Sequence, residues 1–268
     1  MNSHYELLEA CENSLETKMG KWFAGDKVIF RGKNLHQELG DKTWFELFLF
    51  SVTGRVYSET QVRLLNAIWV CTSYPDPRLW NNRITALAAT TRSTPPLAIA
   101  ASLAASEATI YGHGPNVRSL HFLLNAKRQL TKGQNIQMLI KSEFKQHRAI
   151  YGFGRPLHGS DERVPYLMQK LQQSKALDGS YVQLALEVER ELKTGRWRLQ
   201  LNAAGLAAAI VADMGFSVRE YHLFMIPSFL AGMPPCFIEA EEKPEGSFFP
   251  FRVDRINYKG PEKRTWKS

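Results

Sequence analysis

One stretch of the chain constrains the fold more than any other: residues 92–116, which read RSTPPLAIAASLAASEATIYGHGPN. Thr94 can cap a helix whose first turn contains two prolines, because a first turn leaves unused the amide hydrogens that proline lacks. Over residues 97–110 nearly every side chain is small or apolar on all sides, and such a helix is typical of a protein interior. We therefore predict a buried helix here, followed by a Gly-His-Gly-Pro-Asn turn that carries His113.

His113 is the first candidate functional residue. A titratable ring on a tight turn at the end of a buried helix is typical of a binding cleft. A structural histidine is the alternative, so other parts of the chain must point to the same cleft before a function is assigned.

Composition narrows the class of protein. The chain has 268 residues, enough for one large or two smaller domains, with 44% hydrophobic and 22% charged residues. The longest apolar run, 98–110, is too short to span a bilayer, and the first thirty residues are mixed and acidic, unlike a signal peptide. Three distant cysteines without metal-ligand spacing are typical of reduced thiols. We expect a cytoplasmic protein with no membrane partner and no metal site.

Net charge suggests a class of ligand. Lys and Arg number 34 against 26 Asp and Glu, a formal net charge of +8. Such an excess suits a polyanion, but the basic residues are dispersed and form no arginine-rich arm or zinc finger, which disfavours nucleic acid. A phosphate-bearing cofactor fits equally well.

The remaining pattern is almost entirely helical. Residues 27–31 (KVIFR) are the best strand-like run, and capping boxes stand at Ser58/Gln61 and Ser217/Glu220. The predicted helical segments are 4–19, 35–39, 44–52, a helix after Ser58, 80–91, 97–110, 117–131, 135–147, 163–177, 180–194, 202–214 and a helix after Ser217 that breaks at Pro227. The fold class is therefore all-α.

The domain organisation follows from two helices of small residues, 97–110 and 203–214, which need close neighbours in the core. The block between them is more polar and amphipathic. We predict a large helical domain made of 1–116 and 201–268, and a smaller helical subdomain, 117–200. A cleft between them would have His113 at one edge and the glycine-rich turn 152–155 at another.

Four stretches, in order along the chain, resemble motifs of the citrate synthase superfamily, which includes the citryl-CoA lyases. The first is similar to the family's RG-x-D-L … F-E … G-x-P-T/S pattern, and the later ones to HGGAN, GFGHPxx…DPR and Y-x-G-x-x-x-R. The residues that carry the resemblance are 28–35, 44–47, 53–55, 58–59, 113–116, 152–158, 161–163 and 258–260. Taken together, the resemblance extends over nearly the whole chain.

The resemblance implies an all-helical homodimer whose large and small domains close over the ligands. Coenzyme A enters as a thioester substrate, with no permanently bound cofactor, and the second substrate is a small carboxylate. The family chemistry is a Claisen-type condensation or its reverse. One His hydrogen-bonds the thioester oxygen as it becomes an enol, an Asp removes the α-proton, and a second His polarises the other carbonyl.

Carried onto this chain, the resemblance implies a set of site residues. His113 matches the enol-stabilising His, and Arg155 stands where the second His is expected. As a permanent cation, Arg155 can bind a carboxylate or oxyanion but cannot shuttle a proton. The remaining implied residues are Asn116, His158, Arg163 and Arg255 for substrate, and Gly152, Phe153 and Gly154 for coenzyme A.

The departures from the family pattern fall on its catalytic groups. The Asp of the N-V-D element is replaced by Ala204, and the His of a D-H-E element falls on Pro77. An arginine of the late helix appears as Phe229, and the C-terminal R-P-R reads Val-Asp-Arg at 253–255. Ordinary citrate synthesis is therefore disfavoured.

Two interpretations stay open. In the first, the chain is a repurposed enzyme of the superfamily that uses another base, for which His158 and Glu107 are candidates. In the second, it is a non-catalytic ligand-binding or regulatory relative that keeps the dimer and the cleft. Retention of His113 and Asn116 favours the first, and loss of the Asp and second His favours the second.

Overall fold

The structure, a computed structural model, describes residues 4–12, 14–155, 160–247, 252–262 and 264. About 59% of these described residues are helical, which confirms the predicted all-α class. Within the described residues the α-helices are α1 His4–Ala10, α2 Trp44–Thr53, α3 Glu59–Thr72, α4 Trp80–Thr90, α5 Pro95–Ala105, α6 His113–Thr131, α7 Ile136–His147, α8 Arg163–Gln173, α9 Ser180–Thr194, α10 Ala203–Asp213, α11 Val218–Met225 and α12 Met233–Glu241. Two 3-10 helices, Ile226–Gly232 and Val253–Arg255, complete the helical elements of this part of the chain.

A small antiparallel sheet precedes α2. Its strands are β1 Gly20–Phe23, β2 Lys27–Phe30 and β3 Lys33–Asn34, in the order β1-β2-β3. The strand predicted at 27–31 is confirmed as β2, and the two flanking strands were not predicted.

Side-chain caps fix where several helices begin. Both predicted capping boxes form: the Gln61 amide N–H donates to the Ser58 hydroxyl, and the Glu220 N–H donates to Ser217 in the same way. In each box the longer side chain accepts the N–H of the Ser in return. These reciprocal bonds satisfy amide groups that the first helical turn leaves without a partner. The sequence therefore located these two boundaries correctly.

The backbone divides into two compact units. The first unit comprises Met1–Cys71 and His113–Met225. At its centre lies α10, whose residues are buried almost throughout and which packs against α6, α8 and α9. The predicted burial of the helix at 203–214 is confirmed.

The second unit comprises Thr72–Gly112 and Ile226–Ser268. Here α12 and α5 pack on α4 around a small core. Its buried apolar residues are Ala86, Ala89, Ala98, Cys236, Phe237 and Ala240. The predicted subdomain 117–200 does not coincide with either unit, and its boundaries stay a prediction.

The helix predicted at 97–110 is present as α5, which follows Thr94 and has both prolines in its first turn, but the prediction that it is buried is wrong. Helix α5 ends at Ala105 and buries only Ala98 and Ser102, while Leu97 is 67% exposed. Alanine carries little apolar surface, so an exposed alanine-rich face costs little free energy. Glu107 lies beyond the helix and is exposed, not buried within it.

His113 is also placed differently from the prediction. It is the first residue of α6, not part of a turn. Gly112 makes the turn with φ of 81°, a conformation that glycine adopts without strain. The helix predicted from 117 therefore begins four residues earlier and includes the candidate residue.

Two other predicted helices are shorter than expected or absent. The helix predicted at 4–19 ends at Ala10. The helix predicted at 35–39 is a series of turns, because the Asn34 side chain accepts the amide hydrogens of His36 and Gln37 at 3.1 and 3.2 Å. Such side-chain bonds compete with helical ones.

One stretch of the described residues, Val218–Glu241, is long and apolar enough to cross a membrane by length and composition, with a mean hydropathy of 1.4. By length and composition this differs from the expectation that no apolar run is long enough to span a bilayer. Its apolar window is 44% buried, and core helices of soluble proteins pass the same test. The expected break at Pro227 is present as the 3-10 helix that separates α11 from α12. We assign it no membrane role.

Candidate functional site

The glycine-rich turn at 152–154 is docked on the start of α10. The Gly154 N–H donates to the Gln200 carbonyl at 2.6 Å, and the Asn202 N–H donates to the Gly152 carbonyl at 2.9 Å. The Asn202 side-chain amide also donates to the Gly154 carbonyl at 2.8 Å. Three hydrogen bonds thus bring together two segments about fifty residues apart.

Asn202 also caps α10. Its side-chain oxygen accepts the N–H groups of Ala204 and Gly205 at 3.0 and 3.2 Å. Both ends of this amide are therefore engaged, one with the helix and one with the glycine-rich turn. The opening of α10, where the resemblance places the family's catalytic Asp, is fixed relative to that turn.

The contact requires glycine on both sides. Gly152 has φ of 92°, and a Cβ there would meet the Ser119 hydroxyl and lie 2.7 Å from the Gly205 Cα. A Cβ on Gly205 would in turn meet the Gly152 carbonyl and lie 2.7 Å from Leu201 Cδ1. The backbones of the turn and of α10 approach each other more closely than any larger residue permits.

Helix α6 has a buried polar face, and its Ser119 lies next to Gly152 of this turn. His113, Asn116 and Ser119 are 2%, 7% and 0% exposed, and they recur every three residues along the helix. At a rise of about 1.5 Å per residue, His113 lies about 9 Å along the axis from Ser119. Buried polar groups at this spacing are unusual for a structural helix face and mark a candidate site.

A fully buried carboxylate orders the next segment. Asp161, whose side chain is 0% exposed, accepts the Arg163 Nε and Nη2 hydrogens at 2.8 Å each. It also accepts the N–H of Ala203 at 2.9 Å. Asp161 therefore connects the first residue of α8 to the first turn of α10.

The charge state of Asp161 follows from these contacts. Burial by itself raises the pKa of the carboxyl, but the Arg163 guanidinium and the Ala203 N–H outweigh it and lower the pKa to about 2. A carboxylate this weakly basic is permanently ionised near neutrality. Asp161 holds its neighbours in place and is a poor proton acceptor.

Arg155 follows the glycine-rich turn and makes a second ion pair. Its Nη1 lies 2.6 Å from Glu162 Oε2 and donates to the Ser160 carbonyl at 3.2 Å. The Arg155 and Glu162 side chains are 27% and 56% exposed, so this pair is far more accessible than that of Asp161.

A basic segment precedes Asn202, the residue to which the glycine-rich turn is bonded. Arg196 and Arg198 are exposed and lie a few residues before Asn202. The Arg196 guanidinium lies over the Trp197 ring at 4.7 Å, and that ring stacks on Phe144 at 4.4 Å. Both arginines thus lie just before Leu201, which pairs with Phe153 of the turn through an isolated β-bridge.

Two buried titratable groups lie behind the Asp161 ion pair. Burial raises the pKa of the Cys71 thiol to about 11, with smaller opposing effects of Arg163 and Asp161. Burial likewise raises the pKa of Tyr221, which is 0% exposed. Both groups stay neutral near neutral pH and serve as core packing.

The structure brings most of the predicted residues into the first unit. Gly152 and Gly154 bond the residues that open α10, and Arg163 is joined to that opening through Asp161. His113 and Asn116 lie on the helix that packs against α10. Phe153 is buried and contacts the Phe122 ring edge-on. Arg255 belongs to the second unit and is exposed, and His158 lies outside the described residues.

Sequence reasoning missed Asp161 and Ser119 as site residues. Asp161 belongs to the 161–163 motif without an assigned role, although an acid two residues before a candidate arginine is a signal for an ion pair. Ser119 shares the three-residue spacing of His113 and Asn116, but a serine is too common in helices to stand out.

Comparisons with known proteins agree with this architecture. The family described as citrate synthase, C-terminal domain, matches residues 12–241. Among curated proteins, no sequence matches this chain. Three solved structures of similar fold are a citryl-CoA lyase, an ATP citrate lyase and a citrate synthase.

The citryl-CoA lyase from Hydrogenobacter thermophilus is 19% identical with a TM-score of 0.82, and the match covers 94% of this chain and 97% of that one. The ATP citrate lyase from Methanothrix soehngenii, in complex with citrate and coenzyme A, is 15% identical with a TM-score of 0.74 and coverages of 98% and 45%. The Thermoplasma acidophilum citrate synthase, in a ternary complex with carboxymethyl coenzyme A and oxaloacetate, is 19% identical with a TM-score of 0.65 and coverages of 85% and 59%. The chain thus spans nearly all of the first protein and about half of the other two.

Proposed function

The chain belongs to the citrate synthase family, and from this premise we propose that it acts on a coenzyme A thioester and a small carboxylate-bearing partner. The reaction is acyl transfer, or the making or breaking of a carbon–carbon bond. The observation that carries the proposal is the buried polar face of α6, with His113 in its first turn, beside the turn docked on α10.

His113 is proposed to hold the thioester carbonyl. A donor is most effective when it is fixed before the reaction and shielded from water, because it then stabilises developing charge without reorganising. His113 is 2% exposed on a regular helix, which satisfies both conditions. Asn116, one turn further along, supports the same ligand.

Coenzyme A is proposed to bind at residues 152–154 as a substrate, with no permanently bound cofactor. The family resemblance carries this assignment, because Gly152 and Gly154 are themselves packed against Gly205 and Leu199 within the chain. The exposed Arg196 and Arg198 on the paired segment suit its phosphates, as does the net charge of +8.

The carboxylate partner is assigned to the arginines. Arg155 is the main candidate, and Arg163 contributes from its position at the start of α8. Arg255 and His158 remain proposals from the family resemblance alone.

The missing base affects condensation and cleavage differently. Ala204 stands where the resemblance places the catalytic Asp, and the neighbouring Asp161 is held ionised with a pKa of about 2. Enolisation of an acetyl thioester needs a base at its methyl group, whereas cleavage of a citryl thioester needs one at the hydroxyl, for which His158 is the candidate from the sequence. That base takes the hydroxyl proton, the carbon–carbon bond breaks to give a ketone and an enol, and solvent protonates the enol carbon. We therefore favour cleavage over condensation.

A non-catalytic role is the second candidate. The same two observations, Ala204 at the opening of α10 and the locked carboxylate of Asp161, favour a protein that binds coenzyme A and a dicarboxylate without turning them over. Such a relative would keep the cleft for regulation.

One experiment separates the two. The protein is incubated with acetyl-CoA in heavy water, with and without oxaloacetate, and in parallel with citryl-CoA, while methyl deuteration and CoA products are followed. The enzyme proposal expects citryl-CoA cleavage that falls at least about a hundredfold in His113→Ala. Clean CoA binding without exchange, condensation or cleavage supports the non-catalytic role, and a His113→Ala protein with parental turnover removes His113 from the mechanism.

A homodimer in the cytoplasm completes the proposal. The second unit exposes large apolar side chains, among them Leu97 and Ile238, at 67% and 55%. A second copy of the chain covering α5 and α12 would remove this surface from water. The three free cysteines support a reducing compartment.

A further inference from the structure

The two candidate carboxylate-binding arginines differ in what already holds them. Asp161 contacts Arg163 through two parallel hydrogen bonds of 2.8 Å and is completely buried. Glu162 contacts Arg155 through one nitrogen at 2.6 Å, and both side chains are partly exposed to solvent. Adjacent acids therefore hold the two arginines in unequal ways.

Asp161 cannot give up Arg163 to a ligand. Its carboxylate also accepts the N–H groups of Ala203 and Arg163, so displacement would leave a buried charge with two backbone hydrogen bonds and no cation. Leaving a buried charge without its partner costs about 3–5 kcal/mol. Arg163 can meet a ligand only through the edge of its guanidinium that Asp161 does not occupy.

Glu162 can give up Arg155 at little cost. Partly exposed ion pairs contribute about 0.2–1 kcal/mol, and solvent is at hand for the released carboxylate. The guanidinium also keeps its bond to the Ser160 carbonyl at 3.2 Å, which holds it in place during an exchange.

We propose that Glu162 occupies on Arg155 the position of the partner's carboxylate, and that the partner binds by displacing it. Glu162 is then a specificity-determining residue, because a neutral ligand has nothing with which to compete for the guanidinium. The inference rests on the proposed function for the identity of the carboxylate site. It adds that the site is closed by an internal carboxylate until an anion arrives.

The test is the affinity for citrate, a small polycarboxylate, measured by calorimetry on the full chain. A pair worth about 0.2–1 kcal/mol keeps the site closed more than half of the time, so Glu162→Gln is expected to bind citrate about two- to sixfold more tightly. Glu59→Gln is the matched control: Glu59 contacts Arg63 at 2.7 Å in another exposed pair, on α3, and its loss should leave citrate affinity unchanged.

A double-mutant cycle assigns the gain to Arg155. Arg155→Gln should weaken citrate binding about tenfold, and adding Glu162→Gln in that background should have no further effect. A gain that persists without Arg155 reflects general charge and overturns the inference. So does parental affinity in Glu162→Gln, or the absence of citrate binding by both the parent and this variant.

The outcome is distinct from that of the proposed enzyme function. If citrate binding follows the expected cycle but no CoA thioester is turned over, the internal competitor stands and the catalytic proposal fails. If thioester turnover is observed and the cycle shows no coupling, the catalytic proposal stands and the internal competitor fails.

Discussion

Asp161 orders two parts of the first unit with one side chain. Its carboxylate bonds the Arg163 side chain at the start of α8 and the Ala203 N–H at the start of α10. Because the residue is completely buried, these bonds are stronger than they would be in water and costly to lose. A single charge therefore connects two helix termini of the first unit.

The low pKa of Asp161 makes a prediction about acid stability. A carboxyl whose folded-state pKa is lowered from 3.8 to about 2 stabilises the fold above pH 3.8, and this contribution disappears as the pH falls through 2. In urea at about pH 6, the free energy of unfolding of the parent should exceed that of Asp161→Asn by about 2 kcal/mol. This difference should shrink below about pH 4. Asp178→Asn, at an exposed acid, is the control. A difference independent of pH contradicts this origin.

Gly152 makes a prediction about close packing. Alanine there must accept φ of 92° and place its Cβ against Ser119 and Gly205, so we expect Gly152→Ala to lose about 3 kcal/mol of unfolding free energy. Gly133→Ala is the matched control, since Gly133 has φ of 83° but nothing within 4 Å of its added Cβ. It should lose only about 1 kcal/mol. Equal losses in urea unfolding would show that backbone conformation alone matters.

At the scale of elements, α10 and α6 form the frame of the site. Helix α10 is buried because its small residues allow α6, α8 and α9 to approach from several sides. Its first turn is then the natural place for the glycine-rich turn, which needs a backbone surface without side chains. Asn202 is the residue that joins the two elements.

Asn202 and Asn135 allow a direct comparison of two caps. Asn135 caps α7 by accepting the Gln137 N–H at 2.7 Å, whereas Asn202 caps α10 and also bonds the Gly154 carbonyl. Both alanine variants should lose about 1 kcal/mol of unfolding free energy with the cap. Asn202→Ala should lose about 1 kcal/mol more with the bond to Gly154. Coenzyme A affinity, measured by calorimetry, should fall only in Asn202→Ala. An equal fall in both variants would argue against a ligand role for the docked turn.

At the scale of the whole molecule, the second unit has a small core and a large apolar surface. Six residues make up its buried apolar cluster, four of them alanines, while Leu97, Ile110, Tyr111 and Ile238 are each at least half exposed. An apolar surface of this kind on a folded chain is typical of an interface. The proposed homodimer accounts for it.

Sedimentation tests this interface. The parent should sediment as a dimer, and Leu97→Asp should raise the dissociation constant at least about tenfold by burying an unpaired charge. Met138→Asp is the control, because Met138 is 65% exposed on α7 in the first unit, a close match to the 67% of Leu97. A parent that is monomeric at all concentrations, or equal effects of both variants, refutes the assignment.

The sequence by itself determined the helical class, the capping boxes at Ser58 and Ser217, the break at Pro227 and the glycine-rich turn. These features depend on residues a few positions apart, so the chain carries their cause locally. It did not determine that α5 is exposed while α10 is buried, although both read as small and apolar. Nor did it show that Asp161 holds Arg163 and that Glu162 holds Arg155. Burial and ion pairing depend on which distant segments meet, and only the tertiary structure decides that.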